Sequence, residues 1–488
     1  MSISNLVPLP KSFKSINGPY FRADTAAVNG ADELAAMIER AKLAIAGPGT
    51  PGSGTGMIEL TVDPEFYSVY PDLTDSMGKP TEEAYRISVG ENLVQLSAPS
   101  TKGLARAIAT LTQLVETNRD GSLGIPQCVV EDAPRYSWRG ISMDVSRSFY
   151  TIDEMKTLVD LLAFYRMNTL HLHLSDDQGW RLEVPSLPRL TEISGMTAGE
   201  GGRSGFYSTE QFADLVQYAS DHGVTVIPEF DVPGHTNAAT HAYGELMPDG
   251  EPTDAYAGTK VGFSKLYPGV PFTKEFMIDV FEVAALAGNG EYVHIGGDEA
   301  LEQSAEDYKL LVEQAAAAVA QTGKKVVGWQ ESGGAELPPD SVVQYWNSNV
   351  DPAPVLDAVA NGHGVLMSPA PHAYFDMMYN ESTPYGQDWA GLIELPKSYL
   401  WDPAKQLAGV DEEHIVGVEA GMWTERIRTL DELMYMLLPR IPALAEVGWT
   451  AQESRDWDDF RSRIADHPEY WDSAELRWHR SPEVDWKH

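Results

Sequence analysis

Asp298 and Glu299 stand side by side in the run HIGGDEA that begins at His294, directly after two glycines. Paired carboxylates are the usual tools of glycoside hydrolysis, where they flank the scissile bond about 5–9 Å apart. Neighbours on an extended strand point to opposite faces unless a turn or bulge re-aims one. Gly296 and Gly297 supply the backbone freedom for that. Residues adjacent in sequence are nevertheless poorly placed to attack a sugar from opposite sides. If the pair is catalytic, both carboxylates act on one side of the sugar and the nucleophile is something else. An isolated Asp-Glu dipeptide is ordinarily an exposed loop tip, so the residues around it decide the matter.

Aromatic and polar groups gather at comparable places. Trp329, Trp346 and Trp423 each follow a short apolar run, and Trp389 lies between two such runs. A tryptophan at a strand end is as often core as function, but three suggest an apolar box for a methyl group or a sugar face. Arg139, Asp376 and Glu425 add bidentate partners for hydroxyls. The histidines admit a second reading. His171 and His173 share one face of a strand, Asp176 and Asp177 follow, and His235 and His294 complete a set of possible metal ligands. The competing expectation is that these imidazoles are buried and hydrogen-bonded, with no metal or other cofactor.

The elements that must position these residues recur with a clear rhythm. Strand-like runs begin at Arg139, Thr169, Val224, Tyr292, Lys325, Ser341, Gly364 and Ile415. Helical patterns separate several of them. Thr151 with Glu154 and Ser208 with Gln211 read as capping boxes, and Ser304 as a further cap. Eight buried strands alternating with helices predict an α/β fold, a (β/α)8 TIM barrel whose chemistry sits at the C-terminal strand ends. The crossover after Glu331 is too short for a helix, so the outer ring is expected to be incomplete there. Residues 1–132 read as a small non-catalytic α/β domain, with a strand at 57–62, a loop at 47–56, a hairpin across 84–98 and a helix over 101–116. Residues 133–488 are assigned to the barrel and a C-terminal helical tail.

Composition narrows the partners. Lys and Arg number 35 against 72 Asp and Glu, a net charge of −37. Such a field repels nucleic acid and anionic membranes, so neither is expected as a partner. The lone Cys128 precludes an intrachain disulfide framework. The start, MSISNLVPLPKSF, shows no signal-peptide pattern, which points to the cytoplasm without excluding secretion. The oligomeric state is left open by the residues.

The chain resembles glycoside hydrolase family 20, the exo-acting β-N-acetylhexosaminidases. The likeness spans about 134–450 and rests on WRGISMDVSR, HLHLSDDQGWR, PEFDVPGHT, HIGGDE, GWQE, the Tyr374–Asp376 run YFD, and EAGMWTE, in the family's order. One difference is Leu172, where some relatives carry Trp between the paired histidines. Its side chain should alternate away from the site. The family is an exception to the two-carboxylate scheme because the substrate's own acetamido oxygen is the nucleophile. The resemblance implies that Glu299 is the acid and then the base, that Asp298 orients the acetamido N–H, and that Tyr374 donates to the acetamido oxygen. It further implies that His235 and Asp176 form a supporting relay. Trp329, Trp346 and Trp423 would line the acetamido pocket, with Trp389 at the next subsite. Arg139, Asp376 and Glu425 would hold the terminal sugar's hydroxyls. A metal-dependent barrel hydrolase and a non-catalytic sugar-binding protein are the alternatives. With five acids meeting one arginine at the site, the expected partner is a neutral glycan or glycoconjugate ending in N-acetylhexosamine.

Overall fold

The computed structural model describes residues 5–47 and 49–487. Residues 1–4 of the N-terminal stretch and Pro48 of the 47–56 loop lie outside them. The N-terminal unit is built around the expected hairpin, in which Tyr85–Val89 pairs antiparallel with Leu93–Ala98. Met57–Val62 adds parallel to the second strand, and Cys128–Asp132 pairs antiparallel with the first. Ser12–Ser15 and Ala27–Asn29 complete a six-stranded sheet. The helix Thr101–Leu114 covers it with Leu104, Ile108, Leu111 and Leu114, its first turn capped by the Ser100 hydroxyl. It stops two residues short of the expectation because Val115 turns to extended backbone.

Eight parallel strands close a barrel: β1 (Trp138–Asp144), β2 (Thr169–His173), β3 (Thr225–Glu229), β4 (Tyr292–His294), β5 (Lys325–Trp329), β6 (Val342–Tyr345), β7 (Gly364–Met367) and β8 (Ile415–Met422). Period-two alternation sorts the side chains. Ile141, Met143, Leu170 and Leu172 face the helices and join the main apolar core. The inward positions are apolar near the strand starts, where Trp138, Ile227, Val327, Val342 and Leu366 plug the barrel floor. Toward the other end the inward residues become polar and include His171, His173 and Glu229.

The capping boxes of Thr151 and Ser208 form reciprocally at Ile152–Phe164 and Thr209–Asp221, and Ser304 accepts the Asp307 N–H ahead of Ala305–Gln321. Between β5 and β6 only the 3-10 turn Gln330–Gly334 intervenes. The tail returns to the barrel, where the Trp471 indole donates to the Tyr165 hydroxyl at 2.8 Å. Among the described residues no helix is long and apolar enough to cross a membrane.

The N-terminal unit is bonded to the barrel through buried charge. Arg166, after Ile152–Phe164, donates to Asp132 and to the Tyr85 hydroxyl, each at 2.7 Å. Glu83 receives Arg139 of β1 in bidentate fashion at 2.7 and 3.0 Å, and Arg106 at 2.8 Å. Burial alone would raise the Glu83 carboxyl, but the two guanidiniums outweigh it and hold it at about 2. Removing one member of such a cluster strands the others without water or counter-charge. Glu83→Ala is therefore expected to destabilise the protein by about 3–5 kcal/mol. Urea unfolding checks it, and a loss below about 1 kcal/mol would contradict the clamp.

Candidate active site

β4 ends at His294, and the chain then leaves the ladder through two glycines with φ of +70° at Gly296 and +104° at Gly297. A Cβ on Gly296 would run into the Asp231 carboxylate, so only glycine fits that turn. Glu299 itself sits at φ +46°, a conformation that costs a non-glycine residue free energy and is held only by its surroundings. The turn re-aims the adjacent carboxylates so that both line one cavity of 320 Å³. They differ in exposure: the Glu299 side chain is 31% accessible and that of Asp298 only 12%.

Behind them the imidazoles form a column with carboxylates. His235, also at positive φ, lies with Nε2 3.5 Å from Glu299 and 3.7 Å from Asp298, and Nδ1 3.2 Å from Asp176. Burial would lower the His235 imidazole, but Asp176 and Asp298 overcome it and raise it well above its usual value. Asp176 is saturated. Its Oδ2 takes His173 Nε2 and Arg147 Nη2, both at 2.8 Å, and its Oδ1 accepts the Asp177 N–H. Against burial, Arg147 and His235 hold Asp176 well below the usual carboxylate range. Asp231 lies beside Asp298, and burial first, then the neighbouring charge, raises Asp231 strongly. Burial raises Asp298 as well, against the pull of His235.

Aromatic rings make the opposite side. Trp346 stacks on Tyr374 with planes 9° apart, and Trp423 meets Tyr374 edge-on at 6.1 Å. Both tryptophans and Tyr374 line the cavity. Trp329 is buried behind Trp423 at 5.8 Å and does not reach the cavity surface. Trp389 stands at the mouth, 51% exposed and edge-on to Tyr374 at 5.7 Å. Glu425 lines the cavity too, with Asp376 buried next to it. Both Asp376 oxygens and Glu425 Oε2 have no hydrogen-bond partner within the protein. Burial raises both carboxyls, helped at Asp376 by the Glu425 charge and opposed at Glu425 by Arg147.

Arg139 is not part of this site. It is the second residue of β1, so it lies at the floor end of the barrel, and it shares the outward face of Ile141 and Met143. There it is fully buried against Glu83 and Trp449. The cation of the cavity is Arg147, beyond the other end of β1, paired with Asp176 and with Asp144 and lying over the Trp423 ring. Both arginines belong to the WRGISMDVSR motif, and the rule that barrel chemistry sits at C-terminal strand ends already favours the second.

Other cavity or supporting residues unassigned from sequence are Glu229, Asp231, Glu331, Asn347, Gln387, Thr259 and Val261. Glu331 accepts the Trp346 indole N–H at 3.2 Å, and burial followed by Asp298 pushes its carboxyl up to about 8. The His/Asp/Glu groups close enough to share a metal ion are the same buried clusters. In them the His173 nitrogens and His171 Nδ1 already face carboxylates at 2.7–2.9 Å.

The chain matches the model of the glycosyl hydrolase family 20 catalytic domain over residues 136–310 and 302–452, and that of the same family's domain 2 over 4–133. It is 52% identical to the β-N-acetylhexosaminidase of Cellulomonas fimi over 405 residues, 83% of this chain and 82% of that one. The fold superposes with a TM-score of 0.91 on Streptomyces plicatus N-acetyl-β-hexosaminidase in complex with Thio-NAglucal, at 36% identity, covering 100% of this chain and 98% of that one. The exo-β-N-acetylglucosaminidase of Vibrio harveyi bound to N-acetylglucosamine gives 0.84 at 27% identity, covering 98% and 79%.

The two arginines of the first motif should separate in experiment. Arg139→Met is expected to lower stability and leave KM and kcat near wild type. Arg147→Met is expected to cut kcat/KM by about 10- to 100-fold, the scale of one hydrogen bond to a charged group. Unfolding curves and steady-state kinetics on the same two proteins check both, and a KM effect confined to Arg139→Met would reverse the assignment.

Proposed function

Because the chain belongs to glycosyl hydrolase family 20, we propose that its cavity holds a terminal N-acetylhexosamine with the acetamido group between Asp298 and Tyr374. The activity is that of a β-N-acetylhexosaminidase, a glycoside hydrolase whose family works by substrate-assisted catalysis. One observation carries the assignment of roles: the adjacent carboxylates and the Trp346–Tyr374–Trp423 rings line the same cavity.

In this reading the acetamido carbonyl oxygen attacks the anomeric carbon as the glycosidic C–O bond breaks, and Glu299 delivers its proton to the leaving oxygen. The product is a cyclic oxazolinium. Its positive charge develops beside Asp298, which accepts the acetamido N–H, while the Tyr374 hydroxyl donates to the acetamido oxygen and aligns it. Glu299 then removes a proton from water as the water opens the ring at the anomeric carbon, with retention of configuration. The nucleophile is intramolecular, so its attack needs no further loss of translational freedom. Only one enzyme acid is required, which is why neighbours in sequence suffice. Asp176 and His235 set the orientation and charge behind Glu299.

Arg147 and Glu425 bind the sugar hydroxyls, with the unpartnered Asp376 carboxyl behind Glu425. Trp346 and Trp423 enclose the acetamido methyl with Trp329 supporting them, and Trp389 borders the adjacent sugar. The ligands of the Streptomyces and Vibrio structures, Thio-NAglucal and N-acetylglucosamine, support a glucosamine-configured substrate. A chitobiase of Vibrio harveyi, 26% identical, supports chitooligosaccharides as one source. The lining carries the carboxyl groups of Asp176, Asp298, Glu299 and Glu425 with Arg147 as the one arginine among the lining residues, and this acidity favours neutral glycans over sulfated or uronic-acid ones.

An aryl N-acetyl-β-glucosaminide should be hydrolysed and the matching aryl β-glucoside, which lacks the internal nucleophile, should not. Equal turnover of the two would sink the substrate-assisted reading. Asp298→Asn is expected to lower kcat by about 10²–10³-fold, the scale of one preorganised electrostatic contact, with KM little changed.

A further inference from the structure

We propose that Glu229, the last residue of β3, is a positioning residue for this reaction: one buried carboxylate fixes the Trp329 indole with one oxygen and holds His173 as a two-armed donor to Asp176 with the other. The proposal rests on the reading of the site given above.

Glu229 is wholly buried inside the barrel and touches neither the cavity nor Glu299. Its Oε1 accepts the Trp329 indole N–H at 2.9 Å. Its Oε2 stands 2.7 Å from His173 Nδ1 and 2.9 Å from His171 Nε2, the latter off the line of a hydrogen bond. The other nitrogen of His173 faces Asp176 Oδ2 at 2.8 Å. Both acceptors are carboxylates, so both ring nitrogens must carry protons and His173 is an imidazolium. His294, also near Oε1, behaves differently. Its Nδ1 accepts the Gly296 N–H and its Nε2 donates to Gln344, which makes it neutral. Trp329 is therefore the donor that Oε1 serves. Burial opposes charge on His173, yet Glu229 and Asp176 raise it well above its usual value.

The consequence runs toward the reacting atoms. Asp176 has two donors at Oδ2, His173 and Arg147, while its Oδ1 takes the Asp177 N–H and meets His235, which faces Glu299. Other charges around His173 are His171 on its own strand, Asp231 just beyond β3, with a carboxylate oxygen within 4.8 Å of the His173 ring, Glu419 on β8 beyond His171, and Asp144 beside Arg147. Arg147 also reaches both sides, over the Trp423 ring and onto Asp176, but Glu229 is the group that hydrogen-bonds both the Trp329 indole and His173. Loosening it disturbs acetamido placement and acid orientation together.

The isosteric variant Glu229→Gln separates this role from simple packing. An indole N–H can only donate, so the amide oxygen must serve Trp329 and the amide NH2 must face His173. His173 Nδ1 then has to accept, and a buried imidazole without its carboxylate is driven neutral. The expected result is kcat lower by about tenfold, the size of one charge-assisted hydrogen bond, with KM within about twofold. A further ionisation should enter the kcat profile between about pH 5 and 8, where a released histidine titrates, with activity falling as His173 loses its proton. Nitrogen-15 shifts of His173 in the resting enzyme report the proton without any substrate. Wild type should show both nitrogens protonated at pH 7 and Glu229→Gln only Nε2.

A neutral His173 in wild type would overturn the proposal even if the variant failed to fold. So would a folded Glu229→Gln enzyme with an unchanged kcat and pH profile. Failure of the substrate-assisted reading would appear elsewhere, as turnover of the aryl glucoside by wild type, and would leave the His173 protonation result intact.

Discussion

Charge buried along the barrel axis is the constraint on which the rest of this structure depends. Glu419, Glu229 and Asp176 alternate with His171, His173 and His235, all in the interior and nearly all fully buried. Taking one such ion out of water costs several kcal/mol, recovered only when every partner is in place with good geometry. The ends of β2, β3 and β8 are consequently tied to one another more tightly than packing alone would tie them. The apolar plug at the floor and the leucines facing the helices supply stability. The polar column trades some of that stability for position. Burial draws His171 down while Glu229 and Glu419 lift it, and the balance leaves it at about 9.

Position is what the chemistry at the open end needs. Glu299 and His235 both occupy left-handed backbone, and Gly296 fills a turn that no larger residue fits. These are local costs that a loosely held loop would relax. They persist because the column beneath and the aromatic rings opposite over-determine the turn. A half-exposed acid next to a nearly buried one follows directly from that geometry. It gives two identical functional groups different environments within one residue of each other, the general way in which two carboxyl groups come to hold different roles.

Much of this was legible in the residues. The eight strands, the capping boxes, the short crossover after Glu331 and the gathering of Asp298, Glu299, Trp346, Trp423 and Glu425 follow from spacing and turn chemistry, whereas Tyr374, His235 and Asp176 enter the site through what the family resemblance implies. Arg139 failed for an instructive reason. The motif drew attention to a charged residue without asking which end of the strand it occupied or which face it shared, and Ile141 and Met143 two and four residues on answer the second point. Glu229 was hidden differently. Its neighbour Pro228 and the apolar run before it read as core, and only the register that sets it against His173 and His294 shows what it bonds. Trp329 and Asp376 were placed in the right neighbourhood but one layer deeper than expected, since spacing along a chain carries no depth.

The bond between Glu83 and Arg139 spans 56 residues of chain and joins the two units. Arg166 depends on Asp132 in the same way. The barrel thus carries two arginines on its outer surface whose counter-ions are encoded in the segment before it. Such a barrel cannot be shuffled among proteins as a self-sufficient cassette. Any lineage that exchanged its leading module would have to supply two buried acids at matching places, or change both arginines at the same time, so the two units are expected to be inherited as one piece.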